Sequence, residues 1–447
     1  MKKILALVMA AAMILSLAAC GGSAPAAADA APAAKEEAAP AAKEEAAPAA
    51  AEEAAPAAEG KIYEGTKLKV WVAPFVRDDS DKAFWDEHFD KFEEDTGAEV
   101  TVEVVGWGDM ATKYLTGFMS DDAADVLYMT NEILYDFISQ GCLADVTDYW
   151  TDEEIANESF WDSTYYNGKH YMIPFAGGTG YRGYAFNMDI LKEAGVDAIP
   201  TTWDELLDVC EKVHTARPDV YTFLNPLAGN NNAYLTNLLE FYYQSGGNML
   251  NADGTAYTMD TPEALEAMNM IKTMVDKGYF SQDALGLEDS NVRDLFAEGK
   301  AAITVIDMPH QYLADAQFEW EFSTDMKNTQ AASFCPCDTL AVNAKSANVD
   351  AAVAALKFMR SEYCMLDFFK DFYQGGQVLK SYPNVIDDPH MQDVLSHPER
   401  AFVLPIAPNL QLVVDSCMKN TQLVVMGSLT PEEALKQIQA EADKAFN

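Results

Sequence analysis

Residues 178–183, Gly-Thr-Gly-Tyr-Arg-Gly, fit the G-x-G-x-x-G pattern, in which a dinucleotide's pyrophosphate sits on the N-terminus of the helix that follows. That chemistry needs a helix to begin at once. Tyr184, Ala185, Phe186 and Asn187 read instead as an extended piece, so a nucleotide site is not expected. The six histidines show no H-x-x-x-H pair and no cluster. Cys335-Pro336-Cys337 is too tightly spaced for the usual zinc ligands, and its nearest histidine is His310. No G-x-S-x-G elbow and no P-loop occur. Acidic pairs such as Asp121-Asp122 are too abundant to single out glycosidase carboxylates. These absences set the expectation: no catalytic residues, no metal and no cofactor. What remains is binding chemistry, and the elements must say where it gathers.

The stretch 167–209 organises the chain. An extended approach, His170-Tyr171-Met172-Ile173-Pro174, runs into the Gly-rich crossing, with Tyr181 and Arg182 inside it. A second extended piece, 184–187, leads into a short helix over 188–194, with Gly195 placed for a left-handed cap. Thr202 and Glu205 then fit a capping box that opens another helix. Trp203, Leu206, Leu207, Cys210 and Val213 fall on one face of it. Here the chain is expected to pass from one lobe to another beside a ligand cleft.

Before that stretch, strands and helices alternate. Strands are expected at 67–73, 100–104 and 125–129, and helices at 80–95, at 109–119 and ending near Gly141. Such alternation implies βαβ units and a mainly parallel sheet, whose ligands sit beyond the carboxyl ends of the strands. Three loops then face one site: 74–79, 105–109 and 130–132. After the stretch, Thr261-Pro262 opens a helix to Val275, and a strand ends at Val305. Residues 307–312 then fall where a cleft loop would lie. Asn348 is expected to cap a helix carrying Ala352, Val353, Leu356 and Met359, and Thr430 with Glu433 to box the last helix, running to Phe446.

Composition bounds the partners. The formal charge is −41, from 30 basic and 71 acidic residues, which excludes nucleic acid and disfavours an anionic membrane surface. At 447 residues and 49% apolar, two lobes with real cores are expected. Lys2 and Lys3 precede an apolar run over 4–17, too short to span a bilayer, so residues 1–19 read as a signal peptide. Leu17-Ala18-Ala19-Cys20-Gly21 resembles a bacterial lipobox, which makes Cys20 the lipidated first residue; the plainer reading is an ordinary cleavage site beside an incidental cysteine. Residues 20–60 continue as an Ala/Glu/Pro linker in which KEEAAPAA recurs, with Pro40, Pro48 and Pro56 interrupting helix every eighth residue. Such a linker reaches at most roughly 140 Å. As a flexible coil it averages about 35 Å. Cys142, Cys210, Cys335, Cys337, Cys364 and Cys417 remain. Buried or free thiols are favoured over bridges, because a chain this size does not need them.

The segment from Gly168 to Phe175, the Asn187 strand end, Lys192-Glu193-Ala194-Gly195 and Pro200-Thr201-Thr202-Trp203-Asp204-Glu205-Leu206 resemble, in this order, the extracellular solute-binding proteins of ABC importers, the group that includes maltose-binding protein. Residues 125–128, 296–303, 339–343 and 429–434 support the match, which spreads over 67–446. The resemblance implies an α/β, two-lobed periplasmic-binding-protein-like fold with a hinge and an interlobe cleft. Crossings fall near Gly180 and Thr339 and again towards the C-terminus. One lobe takes 61–180 and 339–385, the other 181–338 and 386–447. Sugar binders of this group lay aromatic faces on pyranose rings and fork hydrogen bonds to the hydroxyls. Suitable groups on the expected cleft loops are Phe75, Arg77, Asp78, Trp107, Asn131, Glu132, Tyr181, Arg182, Asn232, Tyr234 and Asp307. The plain alternative for each aromatic is core packing, and for Arg77, Asp78 and Glu132 a surface charge. Tyr181 and Arg182 are favoured, because a Gly-flanked crossing is a poor place for a core aromatic. Where many relatives carry a Gly and then a Trp, this chain has Asp307-Met308-Pro309-His310-Gln311-Tyr312, so Tyr312 is a candidate replacement for a stacking Trp.

The implied function is capture of a sugar or oligosaccharide and its delivery to an ABC permease. The implied form is a monomer held by its lipid on the outer face of the cytoplasmic membrane, the periplasmic side in a two-membrane bacterium. The same scaffold binding a peptide, polyamine or organic anion is the alternative, and a surface hydrolase ranks below it.

Overall fold

The computed structural model describes residues 61–76, 80–177, 181–228, 235–335, 337–372, 378–382 and 386–446. The leader, Cys20 and the linker fall outside them.

Alternating Leu68, Val70 and Val72 form strand β1 (Lys67–Val72), and α1 (Ser80–Thr96) buries Trp85, Phe89 and Phe92. Gly97, at φ 79°, takes the left-handed position that ends this helix. β2 (Glu99–Val104), α2 (Met110–Met119), β3 (Val126–Met129) and α3 (Asn131–Ser139) continue the alternation. β4 (Met172–Gly177), β5 (Gly183–Asn187), α4 (Met188–Glu193), α5 (Trp203–Ala216) and β6 (Tyr221–Phe223) follow. Then come α6 (Pro262–Asp276), α7 (Asp289–Ala297), β7 (Ala301–Ile306), the single turn α8 (Pro309–Tyr312) and β8 (Trp320–Ser323). β9 (Cys337–Val342), α9 (Val349–Met359), α10 (Leu410–Val425) and α11 (Pro431–Ala445) complete the frame.

Thr202 with Glu205, and Thr430 with Glu433, close the expected capping boxes on α5 and α11. On α5 the buried face holds Val209 in addition to the residues expected, while Leu207 is only half-buried. Asn348 stands at the N-cap of α9 without a side-chain bond. Its ψ of 52° is not the extended conformation that aims a capping oxygen at the first turn.

Two mixed sheets result, where mainly parallel pairing was expected. The first has the order β2-β1-β3-β9-β4, and the second β8-β5-β7-β6. β1 runs parallel to β2 and β3, but β9 is antiparallel to both β3 and β4. β5 is likewise antiparallel to β7 and β8, while β6 is parallel to β7. The reversed strands, β5 and β9, are those by which the chain enters a sheet from the other side. A strand that enters at the end where its neighbours finish must run against them.

Each sheet has its own apolar core. One gathers residues from Leu68 to Ala176 and from Leu340 to Phe369, with Met308. The other gathers residues from Tyr181 to Cys335 and from Ile386 to Ala445. The protein is a two-lobed α/β molecule, with a smaller lobe around the first core and a larger lobe around the second. All six described cysteines are buried free thiols. No helix among the described residues is long and apolar enough to cross a membrane.

Candidate functional site

A cavity of about 870 Å³ is lined from both cores, within the range of roughly 300–1,000 Å³ usual for ligand sites. Its smaller-lobe wall starts from the loop after β1. Asp81, buried in the first turn of α1, accepts the backbone N–H groups of Phe75 (3.0 Å) and Val76 (3.2 Å). That fixes Phe75, which meets Trp107 and Tyr128 edge-to-face, at 6.2 and 5.4 Å between ring centroids. Trp107 and Tyr128 meet at 5.4 Å in the same manner. The Trp107 indole donates to the Pro74 carbonyl at 3.1 Å yet leaves the residue 42% exposed. The three rings therefore form a continuous wall with Trp107 presented to solvent.

Carboxylates edge this wall. The Tyr128 hydroxyl donates to Asp338 Oδ1 at 2.6 Å, and Glu132 on α3 faces the same carboxyl. Burial pushes Asp338 up to about 7, against the Tyr128 hydrogen bond and with the help of the Glu132 charge. Asp338 stands beside the bulge between residues 338 and 339 where β9 joins β4, which turns it into the cavity. Asn131 also lines the cavity and donates through Nδ2 to the Leu404 carbonyl at 2.6 Å, tying α3 to the larger lobe.

The larger-lobe wall is charged. Arg182 is 4% exposed and holds Asp289 Oδ1 and Asp307 Oδ2, each at 3.3 Å. Arg293, one helical turn after Asp289 on α7, contacts Asp289 directly and Asp307 Oδ1 at 3.4 Å. Its guanidinium lies 4.3 Å from the centre of the Tyr312 ring. Two arginines and two aspartates close a ring that joins the crossing, the start of α7 and the end of β7. Such a ring balances charges whose isolated burial would be costly. The Arg182 backbone N–H donates to the Phe334 carbonyl at 2.9 Å, so the outgoing and returning chains lie side by side. Behind them Glu240 accepts from Ser333 Oγ (3.2 Å), the Phe334 N–H (3.3 Å) and Gln244 Nε2 (3.1 Å). Burial still pushes Glu240 up to about 8.

The cavity thus gathers Phe75, Trp107, Asn131, Glu132, Arg182, Asp307 and Tyr312 from the residues expected at the site. Tyr181 is not among its lining residues. It is 2% exposed, belongs to the larger core and contacts the Cys335 thiol. Arg77, Asp78, Asn232 and Tyr234 lie outside the described residues. Tyr128, Asp289, Arg293 and Asp338 line the cavity without having been expected to. The i,i+4 pair Asp289 and Arg293 was a readable signal, as was an aspartate one residue before the Thr339 crossing. As expected, the G-x-G-x-x-G motif is followed by strand β5, not by a helix.

This fold and this cleft are those of a two-lobed solute receptor. Residues 78–362 match the family of bacterial extracellular solute-binding proteins, and the chain belongs to that family. A binding protein of Brucella abortus is 25% identical over 365 residues, covering 78% of this chain and 86% of its own. An ABC substrate-binding protein of Listeria monocytogenes in complex with cycloalternan superposes with a TM-score of 0.71 at 22% identity, over 85% of this chain and 98% of its own. A solute-binding protein of Thermotoga lettingae bound with α-D-tagatose gives 0.72 at 19% identity, over 86% and 100%.

Proposed function

We propose that this protein captures a sugar or oligosaccharide between its lobes and hands it to an ABC import permease. The observation that carries this reading is the pairing of an exposed Trp107, set in a wall of rings, with a hydrogen-bonding charged wall across one cavity. A pyranose ring has apolar C–H faces and an edge of hydroxyls, so it needs both kinds of surface. Structural relatives bound to cycloalternan and to α-D-tagatose support a saccharide as the solute class. The protein works by binding, as its relatives' names describe, and a solute touching both lobes favours their closure by its greater affinity for the closed form. The lobes run over 61–180 with 339–385 and over 181–338 with 386–447. The chain is a monomer, lipidated on Cys20 after removal of residues 1–19, and residues 20–60 hold it off the outer face of the membrane.

A thermal-shift screen of mono- and oligosaccharides, amines, peptides and organic anions tests the solute class. A saccharide at 100 times its Kd adds about 2.7 kcal/mol to stability. Stabilisation only by the amines, peptides or anions contradicts the reading.

A further inference from the structure

Residues 306–313 leave one core and return to it by way of the other. Ile306, at the end of β7, and Leu313 are buried in the larger core. Between them Met308, 6% exposed, is buried in the smaller core, and the Tyr312 ring packs on that same core. Asp307, in the same run, is held by Arg182 and Arg293 in the larger lobe. Asp307, Met308 and Tyr312 all line the cavity.

The backbone of Met308 is costly. Four non-glycine residues among those described have positive φ, and three of them are Asp121, Asn167 and Asn409, types whose short polar side chains tolerate it. Met308, at φ 41° and ψ 52°, has no such excuse, and it also precedes Pro309, which narrows its choices further. The left-handed turn achieves two things. It aims the side chain away from β7 into the opposite core. It also presents the Met308 carbonyl to the N–H groups of Gln311 (3.0 Å) and Tyr312 (3.3 Å), which closes α8 and sets the Tyr312 ring over Arg293. A strained residue at a ligand wall persists only where its surroundings over-determine it.

We infer that Met308 is a positioning residue for solute capture: it bridges the lobes through the segment that forms part of the solute wall, so that seating the wall and closing the lobes are one event. This goes beyond the proposed solute class and rests on that reading only for the purpose it assigns to closure. The bridge also explains why a short turn, rather than a loop, follows β7.

Native thiols report the bridge in protein freed of any retained solute by unfolding and refolding. Cys337 lines the cavity, Cys364 lies in the smaller core and Cys417 in the larger. Alkylation of the full-length protein with iodoacetamide, followed by peptide mass spectrometry, gives each rate separately. Met308→Ala and Met308→Gly are expected to raise the Cys337 rate at least tenfold, with Cys364 and Cys417 unchanged and Met308→Leu close to the parent. Gly relieves the backbone and Ala does not, so equal effects assign the bridge to the side chain. An unchanged Cys337 rate in both variants overturns the inference, as does a Cys364 rate that rises in step, which marks a loosened core. Failure of every saccharide to bind would sink the proposed solute class and leave this result standing.

Discussion

The two walls of the cavity are built on opposite plans. The smaller-lobe wall is aromatic: Phe75, Trp107 and Tyr128 meet edge-to-face, and the outermost ring keeps much of its surface in solvent. The larger-lobe wall is ionic, with Arg182, Asp289, Arg293 and Asp307 locked to one another. Burying an indole face is favourable without a partner of matching charge, so the aromatic wall can await its ligand exposed. Buried charges cannot wait unpaired, so the ionic wall satisfies itself first and offers a rigid array of donors and acceptors. The first wall supplies affinity, the second orientation, and each should fail differently when cut.

The largest effect is expected on the ionic side. Arg182→Met leaves Asp289 and Asp307 to share the single charge of Arg293, with a loss of about 3 kcal/mol in unfolding free energy. Chemical denaturation checks this, and a loss below about 1 kcal/mol would remove the distinction between the walls. Trp107→Ala should leave the unfolding midpoint close to the parent's, because the ring is largely outside the core. It should weaken saccharide binding by about 2 kcal/mol, roughly thirtyfold, in calorimetric titration. A variant that unfolds more readily yet binds normally would mean that Trp107 is structural.

The walls' titrating groups add a pH dependence. Glu240 behind the ionic wall is raised from its ordinary 4.5 to about 8 by burial. It holds its proton more tightly in the folded chain than in the unfolded one. Its contribution to stability is therefore complete below about pH 4.5 and is lost as pH rises through about 8. Asp338 beside the aromatic wall, raised to about 7, adds the same sign over a narrower window. Urea unfolding from pH 5 to pH 8 should show stability falling, and Glu240→Gln should flatten much of the slope. Smallest of all, Thr202→Ala opens the capping box of α5, which does not line the cavity. It should cost about 1 kcal/mol of stability and leave binding unchanged, in the same two assays.

Much of this frame was legible in the sequence because its signals are local. Alternating Leu68, Val70 and Val72, the Thr202 and Thr430 boxes, and glycines after helices each declare an element within a few residues. The aromatic wall was partly legible too, since Phe75 and Trp107 fall in loops after strands. The ionic wall was legible in its members Arg182 and Asp307 but not in its pairing, because the ring joins Arg182 to Asp289 and Asp307, more than a hundred residues on, and no local pattern records that. Tyr181 and Arg182 show the limit most plainly. They are neighbours in one crossing, and the backbone sends one into the core and the other to the cavity. The two expectations were the same for both residues, and packing separates them: Tyr181 joins the larger core, while Arg182 meets Asp289 and Asp307. Met308 was hidden for a different reason, since a left-handed methionine before proline is a conformation that no sequence rule anticipates.

The most direct test of the account is to identify what the protein carries. Full-length protein purified without added sugars, then denatured and examined by mass spectrometry, should release a saccharide in near-stoichiometric amount, and Trp107→Ala should release much less. A peptide, a polyamine or an organic acid in its place, retained equally by both proteins, would contradict the account.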